Sequence, residues 1–265
     1  MVGINIFVIS LISSNRRSFQ ENQFERLGLN FDFLDAISSE SITEPNYLEL
    51  SNDWQRPMKK SEVACYLSHQ FAWKKVLESQ TPALILEDDA LISSDISLFL
   101  EDVKKVDFCD LINLENRGRK KFVSKKPIIS IANYSLLKLY LDNTGAAGYI
   151  LWPSGAKKLF DYEAKKGLAL ADAQIHNCKH LKSFQVEPSP IIQLDMVQHY
   201  KIKNKFDKEL SKSSVSSRER LNSGFLYKFR RVRGQLKLGL YQIKLVFLGT
   251  RRFINILPEK FSGPL

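Results

Sequence analysis

Three adjacent carboxylates at the end of an apolar run are the clearest chemical signal in the sequence. The run at residues 83–86 is followed directly by Glu87, Asp88 and Asp89. Such a cluster is costly unless a cation neutralises it, and a divalent metal ion that prefers oxygen ligands is the natural partner. We expect Glu87 and Asp89, which alternate along the chain, to bind a metal that bridges two phosphates of a nucleotide. The alternative is a solvated acidic turn.

A second polar turn follows the apolar run at residues 4–11, which ends in Ser10 and Leu11 and leads to Arg16 and Arg17. Backbone amides at a helix start and arginine side chains both bind phosphate oxygens, so this turn suits a nucleotide. The sequence has no glycine-rich loop here, which excludes a P-loop and a dinucleotide fingerprint. The alternative is an arginine pair on the surface at the start of a helix.

Three further positions are candidates of lower specificity. Gly145 belongs to a stretch of small residues that permits either close approach of the backbone to a ligand or tight strand packing. His69 lies within an amphipathic helix, where it is either a ligand-binding residue or a core histidine with satisfied hydrogen bonds. His199 precedes a basic segment, and closure of that segment would bring it to the metal.

The elements that must position these residues alternate between strands and helices, which predicts an open α/β sheet. Apolar runs predict strands, and residues at helical spacing predict helices that begin near Ser61 and Asp95 and one that ends at Gly167. Ligands bind beyond the carboxyl ends of the strands in such sheets, so Ser10, residues 87–89 and residues 115–116 should share one edge. The predicted strands are 4–11, 83–86, 111–114 and 148–152, and the predicted helices are 61–80, 95–105 and 154–166.

The charge divides the chain of 265 residues unevenly. Residues 201–265 hold 16 basic and 4 acidic side chains, a net charge of +12, whereas the first 200 residues hold 23 and 25, a net of −2. This division predicts a nearly neutral domain at 1–200, which holds the candidate site residues, and a basic, largely helical C-terminal segment at 201–265. Residues 201–217 are rich in lysine and serine, which is typical of a linker.

The basic segment mixes Lys and Arg with Phe, Leu and Tyr at roughly helical spacing, which suits a helix on an anionic membrane surface. A solvated or self-packed basic helix and a nucleic-acid-binding segment are the alternatives. No apolar stretch reaches the roughly 20 residues that cross a bilayer, and the first residues lack the pattern of a signal peptide. The three cysteines follow neither a disulfide nor a zinc pattern, so we expect reduced thiols in the cytoplasm.

Several stretches, taken in order over roughly the first 200 residues, resemble glycosyltransferase family 25. That family includes lipooligosaccharide galactosyltransferases of Gram-negative bacteria, and a related domain occurs in collagen galactosyltransferases. Two departures are Ser61-Glu62 in place of Gly-Glu, and few acidic residues between Gly155 and Asp172. The matching stretches are Val8-Ile-Ser-Leu11 with Arg16-Arg17, Phe33-Leu-Asp-Ala-Ile37, Ser61-Glu-Val-Ala-Cys-Tyr-Leu-Ser-His69 with Trp73, Leu86-Glu-Asp-Asp89, Gly145-Ala-Ala-Gly-Tyr-Ile150 with Gly155-Ala156, and Asp172.

The resemblance implies a GT-A-like fold, a UDP-sugar donor, a divalent cation (Mn2+ or Mg2+) and an inverting transfer, most often of galactose from UDP-galactose. UDP-glucose and UDP-N-acetylhexosamine are alternative donors. The acceptor would be a terminal sugar of a lipid-linked oligosaccharide, lipooligosaccharide or lipopolysaccharide, at the cytoplasmic face of the bacterial inner membrane. The base would be Asp172 in preference to Glu115. The metal ligands would be Glu87, Asp89 and His199, and the nucleotide-sugar would contact Ser10, Leu11, Arg16, Asp35, Ala36, Ser68, His69, Asp88 and Gly145.

Overall fold

The computed structural model describes residues 3–142, 145–202 and 225–262. Within them lie twelve strands and seven α-helices. The strands are β1 (Asn5–Ser10), β2 (Asp32–Asp35), β3 (Ala83–Glu87), β4 (Ala90–Ile92), β5 (Leu111–Asn113), β6 (Lys121–Val123), β7 (Ile129–Ile131), β8 (Tyr134–Leu141), β9 (Gly148–Leu151), β10 (Ser183–Glu187), β11 (Ile191–Gln193) and β12 (Thr250–Arg252). The helices are α1 (Arg16–Leu27), α2 (Glu44–Leu50), α3 (Lys60–Ser79), α4 (Ile96–Val103), α5 (Pro153–Lys166), α6 (Ala171–Asn177) and α7 (Phe225–Leu248).

Ten of the strands form one mixed sheet in the order β12-β6-β8-β10-β5-β9-β3-β1-β2, with β7 paired to β8. Strand β1 is parallel to β2 and β3, and β9 runs antiparallel between β3 and β5. Strands β1, β3 and β5 therefore end at the same edge. This confirms the predicted α/β class and the prediction that Ser10, Glu87 and Glu115 follow strands that end together.

Helices cover both faces of the sheet, which explains why the predicted strands are apolar throughout. In β3, for example, Leu84 and Ile85 point to opposite faces and both are fully buried. On one face, Ile85 packs in a cluster with residues of α3, α5 and α6, namely Tyr66, Trp73, Ala156, Leu159 and Ile175. On the other face, Leu84 packs in a cluster with residues of α1 and α4, namely Phe24, Ile96, Phe99 and Leu100.

The predicted start of α3 needs a small correction. The N-cap is Lys59 rather than Ser61, and the backbone N–H of Lys59 donates to the Glu62 carboxylate at 2.8 Å. Glu62 is therefore at the third helical position, where a carboxylate reaches back to the N-cap. Helix α5 ends at Gly167, as predicted.

Asp110 ties the start of β5 to α5 and β10. Its carboxylate accepts hydrogen bonds from Ser154 Oγ (2.7 Å), Lys158 Nζ (2.6 Å) and the backbone N–H of Lys182 (2.7 Å). Burial opposes the charge of Asp110, but Lys158 and the other donors outweigh burial and hold the pKa of the carboxyl below its usual value.

The C-terminal region contributes to the body of the protein. Strand β12 pairs with β6, and Arg252 forms an ion pair with Glu187 at the end of β10. Phe261 is buried in a cluster with Phe19 and Leu91. The division of the chain at residue 200 stays a prediction, and most of the predicted linker lies outside the described residues. None of the described helices has the length and apolarity that a membrane span requires.

Candidate active site

A cavity of about 590 Å³ opens at the carboxyl ends of β1, β2 and β3. The start of α1 and the first half of α3 complete its walls. Nine of the sequence-predicted site residues line it: Ser10, Leu11, Arg16, Ala36, Ser68, His69, Glu87, Asp88 and Asp89. Its further lining residues, to which the sequence analysis gave no role in binding or catalysis, include Ser13, Ser14, Asn15, Ser38, Ser39, Ser61 and Cys65.

Asp88 joins the acidic turn to the loop before α1. Its Oδ1 lies 2.9 Å from Arg16 Nη1, and its Oδ2 accepts hydrogen bonds from Ser10 Oγ (2.9 Å) and Ser14 Oγ (2.7 Å). Asp88 therefore fixes the guanidinium of Arg16 at the start of α1, and its predicted contact with the nucleotide-sugar stays a prediction. The polar residues that follow β1 could be recognised in the sequence as candidate binding residues, but only the fold shows that Ser14 contacts Asp88.

Two fully buried glutamines of α1 hold the backbone of the acidic turn. Gln20 Nε2 donates to the carbonyl oxygens of Asp88 and Ala90, both at 2.9 Å. Gln23 Nε2 donates to the same oxygen of Ala90 at 3.0 Å, and its Oε1 accepts from the backbone N–H of Ile92 at 2.9 Å. These side chains form hydrogen bonds with backbone groups of the turn that have no partner in the main sheet, because β4 leaves that sheet to pair with β11.

Glu87 is oriented by a chain of buried hydrogen bonds. Nε2 of His69 lies 3.2 Å from Glu87 Oε1, and Nδ1 of His69 lies 2.9 Å from the hydroxyl of Tyr149. The same hydroxyl accepts a hydrogen bond from Nε1 of Trp73 at 2.7 Å. All donors in this chain are satisfied when Tyr149 donates to Nδ1 and the Nε2 proton of His69 points to Glu87. His69 is thus both a core histidine and a residue of the cavity wall.

Glu87 is the centre of an acidic cluster, and its charge acts on the pKa of two neighbouring carboxyl groups. Burial, and then the charge of Glu87, raises the pKa of Asp89 to about 8 and that of Glu115 to about 8. Oδ1 of Asp89 and Oε1 of Glu115 are buried and have no hydrogen-bond partner among the described residues. Buried carboxylate oxygens that lack a donor are costly, and a divalent cation would stabilise them. The chemistry of these residues therefore fits a metal ion, and the assignment of Glu87 and Asp89 as its ligands stays a prediction.

The imidazole nitrogen that contacts Glu87 belongs to His69, and the other Glu87 oxygen accepts a hydrogen bond from Gln193 Nε2 at 3.4 Å. Within the described part of the chain, the ligand atoms of Cys65, His69 and Glu87 lie within 4.8 Å of one another. Burial raises the pKa of the Cys65 thiol well above its usual value, which leaves the sulfur protonated. His199 is exposed, packs edge-on against Tyr200 and borders Gly118. Its role as a metal ligand stays a prediction.

Glu115 follows β5 and is fully enclosed beside Gly145. Its Oε2 accepts a hydrogen bond from the backbone N–H of Ala147 at 2.9 Å. Gly145 has φ +66°, and a Cβ at this position would collide with the Glu115 carboxylate. The glycine is therefore required for packing against Glu115, and neither residue belongs to the lining of the cavity.

Asp172 lies in the first turn of α6 and is partly buried. Burial raises its pKa, His176 and the backbone N–H of Ala173 oppose that change, and the charge of Glu87 adds to it. The electrostatic effect of Glu87 places Asp172 on the border of the acidic cluster, although Asp172 is not a lining residue of the cavity.

Two other predicted nucleotide-binding residues have structural partners. Asp35, at the end of β2, forms an ion pair with Arg17. Ser68 Oγ accepts from the backbone N–H of Ile37 at 2.9 Å and donates to the carbonyl of Ala64 at 2.8 Å. Ser68 therefore fixes α3 to the loop after β2, which forms one wall of the cavity. Binding roles for Asp35 and Ser68 stay predictions.

Comparison with known proteins shows which family the chain resembles. The profile of a family described as "Glycosyltransferase family 25 (LPS biosynthesis protein)" matches residues 3–175. The chain is 27% identical over 199 residues to the lipooligosaccharide biosynthesis protein lic2B of Haemophilus influenzae, covering 71% of this chain and 75% of that protein. It is 30% identical over 154 residues to the lacto-N-neotetraose biosynthesis glycosyltransferase LgtE of Neisseria meningitidis serogroup B (54% and 55% covered). It is 26% identical over 175 residues to procollagen galactosyltransferase 1-B of Xenopus laevis, covering 60% of this chain and 28% of that protein.

Proposed function

The chain belongs to glycosyltransferase family 25, and from this premise we propose that it transfers galactose from UDP-galactose to a terminal sugar of lipooligosaccharide, with inversion and with a divalent metal ion. The observation that carries the proposal is the cavity that ends in the acidic cluster around Glu87. The names of two relatives support the substrates. One is a lipooligosaccharide biosynthesis protein, and another is a galactosyltransferase.

The diphosphate of the donor would bind where α1 begins. Ser13, Ser14 and Asn15 line the cavity directly before this helix of 12 residues, and Arg16 follows them. The dipole of α1 favours an anion at this position. The nucleoside would then extend along the wall formed by Ala36 and the residues that follow it. The volume of about 590 Å³ lies within the ordinary range for small-molecule sites.

Glu87 and Asp89 would hold the metal ion, Mn2+ or Mg2+, next to the diphosphate. A divalent ion supplies charge that stabilises a diphosphate leaving group. The contribution of the chain is the orientation of its ligands. His69 fixes Glu87, and the glutamines of α1 fix the backbone on both sides of Asp89.

The transfer itself requires one base. The acceptor hydroxyl oxygen forms a bond to C1 of the galactosyl group, the bond from C1 to the UDP oxygen breaks, and UDP leaves with the electron pair. The hydroxyl proton passes to a carboxylate, for which we propose Asp172. Glu115 is less suitable, because it is fully enclosed and one of its oxygens is occupied by the N–H of Ala147.

The first test is thermal unfolding and donor hydrolysis across UDP-galactose, UDP-glucose and the UDP-N-acetylhexosamines, with Mn2+ and with chelator. We expect stabilisation and hydrolysis with UDP-galactose that disappear when the metal is chelated. Asp89→Asn should lose the metal-dependent response, whereas Asp161→Asn, an exposed aspartate of α5, should retain it. A response to another donor would reject galactose, and the absence of any response would reject the proposed reaction.

The base is tested separately. Asp172→Asn should reduce kcat far more than it weakens donor binding, since Asp172 acts on the acceptor. Glu115→Gln should have the smaller effect on kcat. The opposite order of the two effects would assign the base to Glu115.

A further inference from the structure

Helix α7 lies on the body of the protein through one face. Leu245 is fully buried against Phe122 and Leu141. The hydroxyl of Tyr227 donates to Asn52 Oδ1 at 2.6 Å, so contacts reach the other end of the helix as well. This packing fixes which side of α7 points away from the body.

The opposite face of α7 carries a continuous stripe of large apolar side chains in contact with solvent. They recur every three or four residues, so they lie above one another along the helix. Each is more than half exposed, up to 81% for Phe247. Folded monomers seldom expose a continuous apolar surface of this kind without a partner. We call this set the outer stripe: Phe229, Val232, Leu236, Leu240, Ile243 and Phe247.

Positive charge borders the outer stripe. Between Phe225 and Leu248 the sequence has six Lys or Arg residues and no Asp or Glu. At 3.6 residues per turn, three of the five basic residues whose side chains the structure describes project within about 100° of the centre of the stripe, on one side of it. These three are Arg233, Lys237 and Lys244, and all are exposed.

We propose that the outer stripe docks α7 in the plane of an anionic lipid bilayer. The apolar side chains would enter the boundary between head groups and acyl chains, and the flanking Arg and Lys side chains would contact lipid phosphates. A helix that lies in the plane of the bilayer does not cross it. The inference goes beyond the proposed reaction, because it depends on neither the donor nor the metal.

The charge pattern favours lipid over the other two occupants of such a surface. A second copy of the chain would bring two sets of six basic residues together with no acidic residue on either helix to compensate them. Duplex DNA would pair with the basic residues, but it would leave the six apolar side chains of the stripe without an apolar partner. An anionic bilayer satisfies both features at once.

The structure also limits which residues of the predicted membrane-associating segment can contact a bilayer. Strand β12 and Phe261 pack into the body, so they are not available to a membrane. Leu238, Tyr241 and Leu245 face the body for the same reason. The contact is therefore confined to the outer stripe and its basic border, and the body is held against the bilayer through the buried face of α7.

The test is sedimentation of the full chain with vesicles of phosphatidylcholine alone and with vesicles in which about a third of the lipid is phosphatidylglycerol. We expect binding to the anionic vesicles. Leu236→Ser with Leu240→Ser should weaken that binding by at least about tenfold, since each leucine loses its burial in lipid. The control is Leu48→Ser with Leu98→Ser, whose leucines are 56% and 55% exposed elsewhere on the surface. Circular dichroism shows whether each variant is folded.

The basic border is tested by neutralising Arg233, Lys237 and Lys244 to Gln. At about one kcal/mol for each cation near an anionic surface, binding should fall about a hundredfold. The control neutralises three equally exposed lysines elsewhere, Lys74, Lys105 and Lys157.

Three outcomes would overturn the proposal. The first is unchanged vesicle binding in both sets of α7 variants. The second is a dimer in solution that Leu236→Ser with Leu240→Ser converts to a monomer, which would assign the stripe to a second copy. The third is binding of duplex DNA at the same salt concentration without binding of anionic vesicles. Glycosyl transfer to a soluble acceptor is measured in parallel, so loss of docking and loss of catalysis are distinguished.

Discussion

Replacing Tyr149 with phenylalanine removes one oxygen atom on which two other buried side chains depend. The hydroxyl contacts Nδ1 of His69 at 2.9 Å and accepts from Nε1 of Trp73 at 2.7 Å. Both partners are fully buried, so water does not replace the lost contact. An unsatisfied buried polar group costs about 1–2 kcal/mol. With two such groups, we expect Tyr149→Phe to lower the free energy of unfolding by about 2–4 kcal/mol.

Urea unfolding followed by tryptophan fluorescence measures this loss. For a chain of this size the free energy of unfolding falls by about 3 kcal/mol for each molar of urea, so the midpoint should fall by about 1 M. The matched control is Tyr66→Phe, another buried tyrosine, whose hydroxyl donates to Glu163 at 2.7 Å. Glu163 keeps hydrogen bonds from Gln70, so this variant should lose only about 1 kcal/mol.

Activity provides the second measurement on the same pair of variants. Without the hydroxyl, the imidazole of His69 loses the partner that fixes its ring and, through Nε2, the position of Glu87. We expect kcat to fall about tenfold in Tyr149→Phe, as for the loss of a partner that orients a metal ligand, and to stay unchanged in Tyr66→Phe. Equal midpoints and equal kcat for the two variants would refute the idea that the buried chain of hydrogen bonds orients Glu87.

Three further predictions concern residues that do not belong to the hydrogen-bond chain of Tyr149, His69 and Trp73. Gly145→Ala should lower the free energy of unfolding by more than about 1 kcal/mol, which is the cost of placing alanine in a left-handed backbone conformation, because its methyl group also collides with Glu115. The urea midpoint measures this loss. Lys121→Met should cost about 3–5 kcal/mol, because it leaves the Asp142 carboxylate, 2.6 Å from Lys121 Nζ, buried without its ion pair; Lys121→Met with Asp142→Leu should recover most of that loss. Asp110 has a lowered pKa in the folded chain, so it stabilises the fold above its unfolded pKa of about 4 and that stabilisation is lost as the pH falls; the difference in unfolding free energy between the wild type and Asp110→Asn should be largest near neutral pH and shrink below about pH 4.

The part of the fold that was predictable from sequence is its centre. Strands β1, β3, β5 and β9 are buried on both faces because helices cover both sides of the sheet. Each of these strands therefore shows up in the sequence as a continuous apolar run. The edge of the sheet carries no such run. Strand β6 begins with the fully buried Lys121, and β12 is Thr-Arg-Arg, held through the ion pair of Arg252 with Glu187. Partners distant in sequence compensate these charges, so no local pattern marks them as strands.

In the candidate site, too, some residues could be predicted from the sequence and others could not. Residues at the ends of β1 and β3 were predictable, because parallel strands end at one edge and polar residues there have a ligand-binding position. The buried hydrogen bonds behind them were not. Tyr149 lies on β9, 80 residues from His69, and sequence spacing gives no sign that they meet. His199 differs from these residues, because in the described part of the chain its ring packs against Tyr200, and its role as a metal ligand stays a prediction.

The acidic cluster explains why so many polar groups support one turn. Glu87, Asp89 and Glu115 lie at one edge of an apolar sheet, where burial, and then the charge of Glu87, raises the pKa of Asp89 and of Glu115. A fold selected only for stability would replace such carboxylates with apolar residues. Here they are kept in place by His69, by the glutamines of α1 and by the backbone N–H of Ala147. Carboxylates that are held rigidly at the end of a cavity are what the proposed cation-dependent reaction requires, because the energy lost in the cation-free fold is regained when a bound cation neutralises their charge.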